Sequence, residues 1–389
     1  MVTGRKRPPE QGARRVLTLF GTRPEVIKLA PVVRELEARP GRFRTLNAAS
    51  GQHTDLVHPF ARELGMRVDH DLQVGTERQN PTEVCHRALA ALARLLSSER
   101  PDAILVEGDT TTAFAGALAG FYHGIPVGHV EAGLRSGNRE SPFPEELNRR
   151  LITQLASFHF APTERNVEIL RGEGIPANRI ALTGNPVVDS VQWAREHTTP
   201  STRARTLLRD VAETRLVVLT THRRESFGPV MEGRMRALHR FLERHSDTTL
   251  VFPVHPNPEV SECAIRQLGG APRVFLVEPL EYLDFVHLLS KAWLIVSDSG
   301  GVQEEAPSLG RPVLVIRENT ERPEALEAGT ARLVGGSPDA LEAMLEESYS
   351  DLGWFESTRL RGNPFGCGDS GRRIADALEG FLELLDSAN

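Results

Sequence analysis

The amino-acid sequence predicts an α/β protein in which parallel β-sheets are covered by helices on both faces. Short apolar runs alternate with amphipathic stretches of helical length along almost the whole chain, a pattern typical of buried parallel strands and their crossover helices. These runs are more numerous than one open sheet usually holds. The chain has 389 residues, a length that favours two or three domains. Together the three observations indicate two α/β halves.

Each predicted element follows from this alternation. Val16–Phe20 is a mostly apolar strand, followed by a loop and by a helix that extends to Leu36. Similar runs predict the other strands, which are Thr45–Ala49, Ala103–Val106, Val127–Val130, Val217–Thr220, Leu250–Val254, Val274–Val277, Leu294–Ser297 and Val313–Ile316. Turn residues place the boundary between the halves near Gly184–Pro186, ahead of the polar segment Arg195–Arg205. Apolar residues at helical spacing predict a last helix within Gly371–Leu385.

Composition narrows the class of function. The chain carries 46 basic and 52 acidic residues, a net charge of −6 that argues against a nucleic-acid-binding surface. It has no apolar run of the roughly 18 residues that a membrane span needs. The basic, polar N-terminus lacks the apolar centre of a signal peptide, so we expect a disordered tail over about residues 1–13. Cys85, Cys263 and Cys367 lie far apart, which disfavours a disulfide framework and fits a reducing cytoplasm.

Loops of the first half place polar residues directly after predicted strands. Gly21–Glu25 opens a helix and, with Arg23 and Lys28, offers N–H groups and cations to an anion, although an ordinary helix start has the same pattern. Ligands of open α/β sheets bind at the carboxyl ends of strands. Asp109 and Glu131, each at such an end, are therefore expected at one crevice. Taken alone, Asp109 is more typical of a cap on the next helix than of a catalyst.

Two adjacent glutamates, Glu145 and Glu146, lie where the segment Pro142–Arg150 opens another helix. Acidic residues in a first turn stabilise the helix dipole, which is one interpretation of both. The other is that one of the two carboxylates faces the crevice. Residue chemistry alone leaves both interpretations open.

The second half carries features suited to a nucleotide. His222, Arg223 and Arg224 follow a strand and can hold a diphosphate, although a solvated charged loop is the alternative. In Asp298–Glu305, glycines after a strand let the backbone approach a ligand, and the helix start favours a phosphate. Glu305, one turn further on, can bind ribose hydroxyls. Histidines do not recur at metal-ligand spacing and no G-x-S-x-G motif occurs, so metal-assisted and covalent hydrolysis are disfavoured.

Six motifs occur in order: GTRPE with Lys28, GDTTT, HVEAGLR, PFPEELNR, HRRESFG and SDSGGVQEEAP. Together they resemble the non-hydrolysing bacterial UDP-N-acetylglucosamine 2-epimerases, and the resemblance extends from about Val16 to the C-terminus. It implies two Rossmann-like domains in a GT-B arrangement with the active site in the interdomain cleft. The implied domains are 1–185 and 186–371, and a C-terminal helix, 372–389, is expected to pack back on the first domain.

The resemblance also implies roles for individual residues. The implied catalytic residues are Asp109, Glu131, Glu145 and His222. The implied substrate-binding residues are Arg23, Lys28, Phe285, Ser299, Gly300, Gly301 and Glu305. Among these, His222 assists the diphosphate, the Ser299–Gly301 turn binds phosphate, Glu305 binds the ribose and Phe285 packs on the uracil ring. The expected partners are UDP-N-acetylglucosamine, UDP and a second copy of the chain, with no cofactor and no metal.

One segment departs from the family pattern. Many bacterial members bind a second, activating UDP-N-acetylglucosamine with an AQHRQM-like segment. Here the segment is SGQHTDL, in which Gln52 and His53 are retained and Asp55 replaces a glutamine. Gln52 and His53 are therefore candidate regulatory residues, with activation expected to be weak or absent.

The implied reaction inverts carbon 2 of UDP-N-acetylglucosamine to give UDP-N-acetylmannosamine. It proceeds by elimination of UDP to 2-acetamidoglucal and re-addition, and the chain lacks the dinucleotide fingerprint that a redox route needs. Four alternatives stay open: a UDP-diacetamido-uronic acid 2-epimerase, a hydrolysing 2-epimerase, a GT-B glycosyltransferase and a non-enzymatic UDP-sugar sensor. A sensor would not need clustered carboxylates.

Overall fold

A computed structural model describes residues 12–51, 54–75, 80–223 and 227–387. The chain forms two compact units. The first consists of the chain up to Ser190 together with the chain from Phe365 onwards, and the second is Val191–Pro364.

The first unit is built on a parallel sheet. Its strands in the described residues are β1 (Arg14–Phe20), β2 (Phe43–Ala49), β3 (His70–Asp71), β4 (Ala103–Glu107), β5 (Val127–Val130), β6 (Phe158–Ala161) and β7 (Ile180–Leu182). The strand order is β3-β2-β1-β4-β5-β6-β7. All neighbours pair in parallel. The order reverses at β1, which makes the carboxyl ends of β1 and β4 the expected position of a ligand.

Helices connect these strands. They are α1 (Arg23–Glu37), α2 (Thr54–Glu63), α3 (Pro81–Glu99), α4 (Thr111–Tyr122), α5 (Glu145–Leu155) and α6 (Glu164–Gly172). The next helix, α7 (Pro186–His197), follows β7 and extends past Ser190 into the segment of the second unit. Apolar side chains of the strands and of α3 and α4 form the core, in which Leu17, Leu19, Ile104 and Val106 are fully buried. A strand that is buried on both faces has no polar alternation, which is why β1 and β4 were recognisable as apolar runs.

The second unit repeats the architecture. Its described strands are β8 (Arg215–Thr220), β9 (Thr248–Pro253), β10 (Val274–Val277), β11 (Leu294–Ser297), β12 (Val313–Val315) and β13 (Ala331–Leu333), in the order β10-β9-β8-β11-β12-β13. All of them pair in parallel. Its helices are α8 (Thr202–Asp210), α9 (Pro229–Arg244), α10 (Pro258–Leu268), α11 (Tyr282–Lys291), α12 (Gly300–Glu305), α13 (Pro323–Glu327), α14 (Pro338–Ser350) and α15 (Leu352–Leu360).

The chain returns to the first unit through its last helix, α16 (Ser370–Ser387). The Phe381 ring of α16 stacks on Phe158 of β6, with 4.5 Å between the ring centroids. At the start of the helix, a Cβ on Gly371 would lie 2.7 Å from the carbonyl oxygen of Pro31, so only glycine permits this approach of α16 to α1. Arg39, two residues after α1, pairs with Asp376 of α16 at 2.7 Å.

The nine strands predicted from apolar runs are confirmed, with ends that differ by two residues at most. Four further strands, β3, β6, β7 and β13, were not predicted. They have only two to four residues each, and β6 contains the polar His159. The polar segment Arg195–Arg205 was interpreted as a break, but most of it is helical, because it contains the end of α7 and the start of α8. Within the described residues, no helix is both long and apolar enough to cross a bilayer.

Candidate active site

The carboxyl ends of β4 and β5 place Glu131 in a buried cluster of charges. Its Oε1 lies 2.5 Å from Lys28 Nζ and accepts a 2.9 Å hydrogen bond from Asn185 Nδ2. The same ammonium group lies 3.1 Å from Glu107 Oε1. Glu131 also has a φ of +64°, a left-handed conformation that is uncommon for residues with a Cβ and that clusters at functional sites. The fold therefore holds this carboxylate in place through both its backbone and its partners.

Asp109 follows β4 and is held by α5. Its carboxylate is paired with the Arg149 guanidinium, and its backbone carbonyl accepts a 2.9 Å hydrogen bond from Asn148. Burial raises the pKa of Asp109, although the Arg149 charge opposes the shift. The interpretation of Asp109 as a helix cap is wrong, because the cap of α4 is Thr110, whose hydroxyl accepts from the N–H of Ala113 at 3.0 Å. The Asp109 carboxylate thus has no part in capping this helix.

The two adjacent glutamates at the start of α5 differ in their surroundings. Glu146 is fully buried and accepts hydrogen bonds from the Ser136 N–H and from Arg150, each at 2.9 Å. Glu145 is half-buried. It lies one turn before Arg149 on the same helix face, and Arg149 reaches Asp109. Glu145 therefore shares a helix face with Arg149, whereas Glu146 pairs with Arg149 directly, with 3.3 Å between Oε2 and Nη1.

The first loop does not present free N–H groups to an anion. The N–H groups of Gly21 and Thr22 both donate to the Glu25 carboxylate, at 2.9 and 2.8 Å, and the hydroxyl of Thr110 donates to it at 2.7 Å. The expectation of an anion site on these N–H groups is therefore wrong, because Glu25 of the same helix occupies them. Arg23 is exposed, with its guanidinium 5.4 Å from the centre of the Phe60 ring.

In the second unit, His222 lies at the carboxyl end of β8 and is oriented by Asp298. The two side chains approach to 3.1 Å, between Nδ1 and Oδ1. Asp298 is fully buried and also accepts from the Thr221 hydroxyl at 2.8 Å and from the Arg223 N–H at 3.1 Å. Burial opposes ionisation, but the hydrogen bonds with His222 and Arg223 hold the pKa of Asp298 below its ordinary value. The Nδ1 contact leaves Nε2 of the half-exposed His222 ring available to a ligand.

The turn Ser299–Gly301 follows β11, the neighbour of β8. The Ser299 N–H donates to the Ser297 hydroxyl at 3.0 Å. A Cβ on Gly300 would lie 3.0 Å from the Arg322 guanidinium, so a larger residue here would require that side chain to shift. A Cβ on Gly301 would have, among the described residues, only Ser299 Oγ within 4 Å, at 3.8 Å. Packing within the described protein thus does not explain the glycine at 301.

Glu305 and Phe285 are linked through Tyr282. Burial, followed by the Glu305 carboxylate, raises the pKa of Tyr282 well above its ordinary value. Tyr282 and Phe285 lie one turn apart on α11, hence on one helix face. The ring of Phe285 is half-buried, whereas Tyr282 and Glu305 are buried. The structure therefore brings the two predicted residues to one region of the second unit.

Several residues of these clusters were not predicted. They are Glu107, Asn148, Arg149, Asn185, Tyr282 and Asp298. Asp298 was detectable in principle, because it directly precedes the glycine turn, and Arg149 because it follows Glu145 by four residues. Gln52 and His53 lie outside the described residues. Over the described part of the chain, no cluster of three or more histidine, cysteine or acidic side chains is arranged to hold a metal ion.

Known proteins resemble this chain in both sequence and fold. A family model described as UDP-N-acetylglucosamine 2-epimerase matches residues 34–379. The UDP-N-acetylglucosamine 2-epimerase of Salmonella typhimurium is 44% identical, over 94% of this chain and 99% of its own. A Neisseria meningitidis UDP-GlcNAc 2-epimerase structure bound to UDP-GlcNAc has a TM-score of 0.88 at 38% identity, covering 94% of this chain and 99% of that chain. The S. aureus MnaA–UDP co-structure has a TM-score of 0.87 at 37% identity, covering 95% and 97%.

These similarities define a two-domain α/β enzyme, an isomerase of the 2-epimerase class. The chain belongs to the UDP-N-acetylglucosamine 2-epimerase family. The predicted family, the α/β fold class with two Rossmann-like domains, and the enzyme class are thereby confirmed.

Proposed function

We propose that the protein interconverts UDP-N-acetylglucosamine and UDP-N-acetylmannosamine by elimination and re-addition of UDP. A base removes the proton at carbon 2, the electron pair of that C–H bond forms a double bond to carbon 1, and UDP leaves with the electrons of the anomeric C–O bond. In the return step, UDP oxygen attacks carbon 1 and a proton is added to carbon 2 from the opposite face. No electrons are gained or lost overall, so this reaction needs no redox cofactor.

The acid–base groups in this proposal are Asp109, Glu131 and Glu145. The observation that carries the proposal is that Asp109 and Glu131 lie close together at the carboxyl ends of β4 and β5. Burial raises the pKa of Asp109, and a raised carboxyl pKa favours proton exchange near neutral pH. Lys28 beside Glu131 supports a second, ionised carboxylate in the same group. Asp109 and Glu131 thus differ in their affinity for a proton, as an acid and a base partner should.

The second unit supplies the UDP contacts of the proposal. His222, oriented by Asp298, acts on the departing diphosphate through Nε2. Ser299, Gly300 and Gly301 form the phosphate turn, and the space beside Gly301 admits the ligand. Glu305 binds the ribose and Phe285 packs on the uracil ring. In the first unit, Arg23 and Lys28 add positive charge, with Lys28 acting through its ion pair with Glu131.

We also propose that the protein is a cytoplasmic homodimer. Support for these two points comes from the family resemblance and, for the location, from the three widely spaced cysteines.

The decisive experiment follows carbon 2 in heavy water. Purified protein is incubated with UDP-N-acetylglucosamine in D₂O, without nicotinamide or divalent metal, and the products are followed by NMR. Deuterium at carbon 2 of UDP-N-acetylmannosamine, with small amounts of free UDP and 2-acetamidoglucal, is expected. Epimerisation with retention of the original hydrogen would contradict elimination.

Other outcomes of the same experiment identify the alternatives. A hydrolysing epimerase releases free N-acetylmannosamine and UDP, with no return. A glycosyltransferase leaves the carbon 2 hydrogen in place. An enzyme for UDP-diacetamido-uronic acids leaves UDP-N-acetylglucosamine unchanged but exchanges carbon 2 of its own substrate. A sensor binds the nucleotide sugar without altering it.

A further inference from the structure

Glu107 is a buried carboxyl group in contact with the Glu131–Lys28 pair. It is the last residue of β4 and only 2% exposed. Its Oε1 lies 3.1 Å from Lys28 Nζ, the ammonium group that also pairs with Glu131. Two ionised carboxylates sharing one buried ammonium group would leave one negative charge unpaired, so a proton on one of the two is favoured.

The hydrogen-bond donors show which carboxyl group is ionised. Glu131 Oε1 faces the Lys28 ammonium at 2.5 Å and accepts from Asn185 at 2.9 Å. Glu107 Oε1, in contrast, is buried and receives no hydrogen bond of ordinary geometry from the described residues. Both carboxyl groups face Lys28, but Glu131 has the shorter contact with it and the additional hydrogen bond from Asn185. The carboxyl group with more donors is the better site for the negative charge, and the other favours the neutral form. The negative charge therefore belongs on Glu131 and the proton on Glu107.

We propose that Glu107 is a positioning residue that keeps a proton at neutral pH and donates it to Glu131, which fixes Glu131 as the ionised member of the pair. Its consequence for catalysis rests on the proposed acid–base role of Glu131. One retained proton leaves a single negative charge opposite the single positive charge of Lys28, and this balance avoids an unpaired buried charge.

Charged groups on every neighbouring element are consistent with this assignment. The groups that face Glu107, or face its partner Glu131, are Lys28 and Glu25 on α1, His129 in β5, Glu131 after β5, and Asp109 after β4 with its partner Arg149. Burial raises the pKa of Glu107 well above its ordinary value, and the negative charges of Glu131 and Glu25 raise it further. The charge of Lys28 opposes the shift.

Glu25 provides a matched comparison within the same region. It is also buried, but its carboxylate accepts from the N–H groups of Gly21 and Thr22 and from the hydroxyls of Thr22 and Thr110. Burial raises the pKa of Glu25 as well, but these four donors oppose the shift and stabilise the ionised form. Glu25 is thus expected to be ionised at pH 7, in contrast to Glu107.

A direct test measures protonation without reference to activity. The protein is labelled with ¹³C at the glutamate carboxyl carbons, and spectra are recorded at pH 7 for the wild type, Glu107→Gln and Glu25→Gln. We expect one signal at the shift of a protonated carboxyl group, lost in Glu107→Gln and retained in Glu25→Gln. A wild-type spectrum in which every glutamate is ionised, or a protonated signal that survives in Glu107→Gln, would overturn the proposal.

A kinetic test separates positioning from packing. A donor to ionised Glu131 lowers its pKa, so loss of the donor raises the pKa and moves the acid limb of kcat/KM to higher pH. Glu107→Met should move this limb upward by about one pH unit. Glu107→Gln keeps an N–H donor and should restore the limb to its wild-type position. Equal shifts in both variants would contradict the role of the hydrogen bond.

The two tests have independent outcomes. An inactive wild-type protein would refute the proposed function, while the carboxyl spectrum would still decide the protonation of Glu107. If Glu107→Met does not fold, the spectra of the wild type and Glu107→Gln decide the proposal.

Discussion

Glu145 and Glu146 show how neighbouring residues of one type take different tasks. Glu146 is buried among the Ser136 N–H, Arg149 and Arg150, and no ligand is needed to explain it. Glu145 is half-buried on the helix face that includes Arg149. The difference arises from the helix itself, because adjacent residues point about 100° apart around its axis.

The same pair gives a prediction at the residue scale. Glu145→Gln should lower kcat by about 10²–10⁴-fold, the range for loss of a general acid or base, with little change in stability. Asp109→Asn and Glu131→Gln should lower turnover within the same range. Glu146→Gln is the matched control and should instead lower the free energy of unfolding by about 3 kcal/mol, because the buried Arg149 loses an ionised partner.

Steady-state kinetics and urea unfolding of the four variants check this division. Near-wild-type turnover in Glu145→Gln would remove that residue from the mechanism. A fully stable Glu146→Gln would show that its ion pairs are not structural.

At the scale of elements, the helix starts decide which loops can meet a ligand. At the start of α1, the backbone N–H of Gly21 donates to Glu25 of the same helix. Near the start of α12, in contrast, Asp298 accepts from the N–H of His222 and holds the His222 loop beside that helix. Strand order explains this, because β8 and β11 are adjacent and their carboxyl ends lie at one edge of the sheet. The UDP contacts proposed here therefore depend on a glycine turn and an oriented histidine.

Gly301 tests the phosphate turn. Gly301→Val adds a side chain where the described protein leaves space, so the fold should tolerate it, with a change in Tm of about 2 °C or less. The added side chain should block the approach of the diphosphate and lower UDP affinity at least about tenfold, equivalent to about 1.4 kcal/mol. Calorimetric titration with UDP measures this.

Gly380→Val is the control for this variant. Gly380 also lies in a helix with no described atom near its Cβ position, but α16 has no proposed part in UDP binding. Its UDP affinity should equal that of the wild type. Unchanged affinity in Gly301→Val as well would show that the turn does not contact the phosphates.

At the scale of the whole molecule, the first unit is assembled from both ends of the chain. Helix α16 covers β6 through Phe381, which is 9% exposed and stacked on Phe158. The N–H groups of Ser370 and Gly371 also donate to Asp189, at 3.2 and 2.9 Å. The first unit is therefore completed only when the last residues of the chain are present.

This dependence can be measured with two substitutions on α16. Phe381→Ala should destabilise the first unit by about 3 kcal/mol, because it removes a buried aromatic ring and leaves a cavity. Leu384→Ala, at a position 59% exposed on the same helix, should change stability by about 0.5 kcal/mol or less. Calorimetry gives the transitions, and hydrogen exchange of β6 amides assigns them. Equal effects of the two substitutions would contradict the packing role of α16.

Much of the molecule was predictable because its strands are buried on both faces. Such strands are contiguous apolar runs, so the α/β class and nine strands followed from the sequence, and the six motifs indicated the family. Asp109, Glu131 and His222 were recognisable because polar residues at strand ends are exposed to ligands in parallel sheets. The short strands β3 and β7 gave too few residues for a pattern.

The sequence by itself thus determined the fold class, the family and the candidate residues. Tertiary structure alone decided their partners: Asp109 pairs with Arg149, 40 residues away, and Glu107 meets Lys28, 79 residues away. Sequence spacing does not specify which loops meet, because that depends on strand order and on the packing of helices across the sheet. In our proposal these partners also decide charge: Glu131, which faces Lys28 and accepts from Asn185, is ionised, and the buried Glu107 beside it retains a proton.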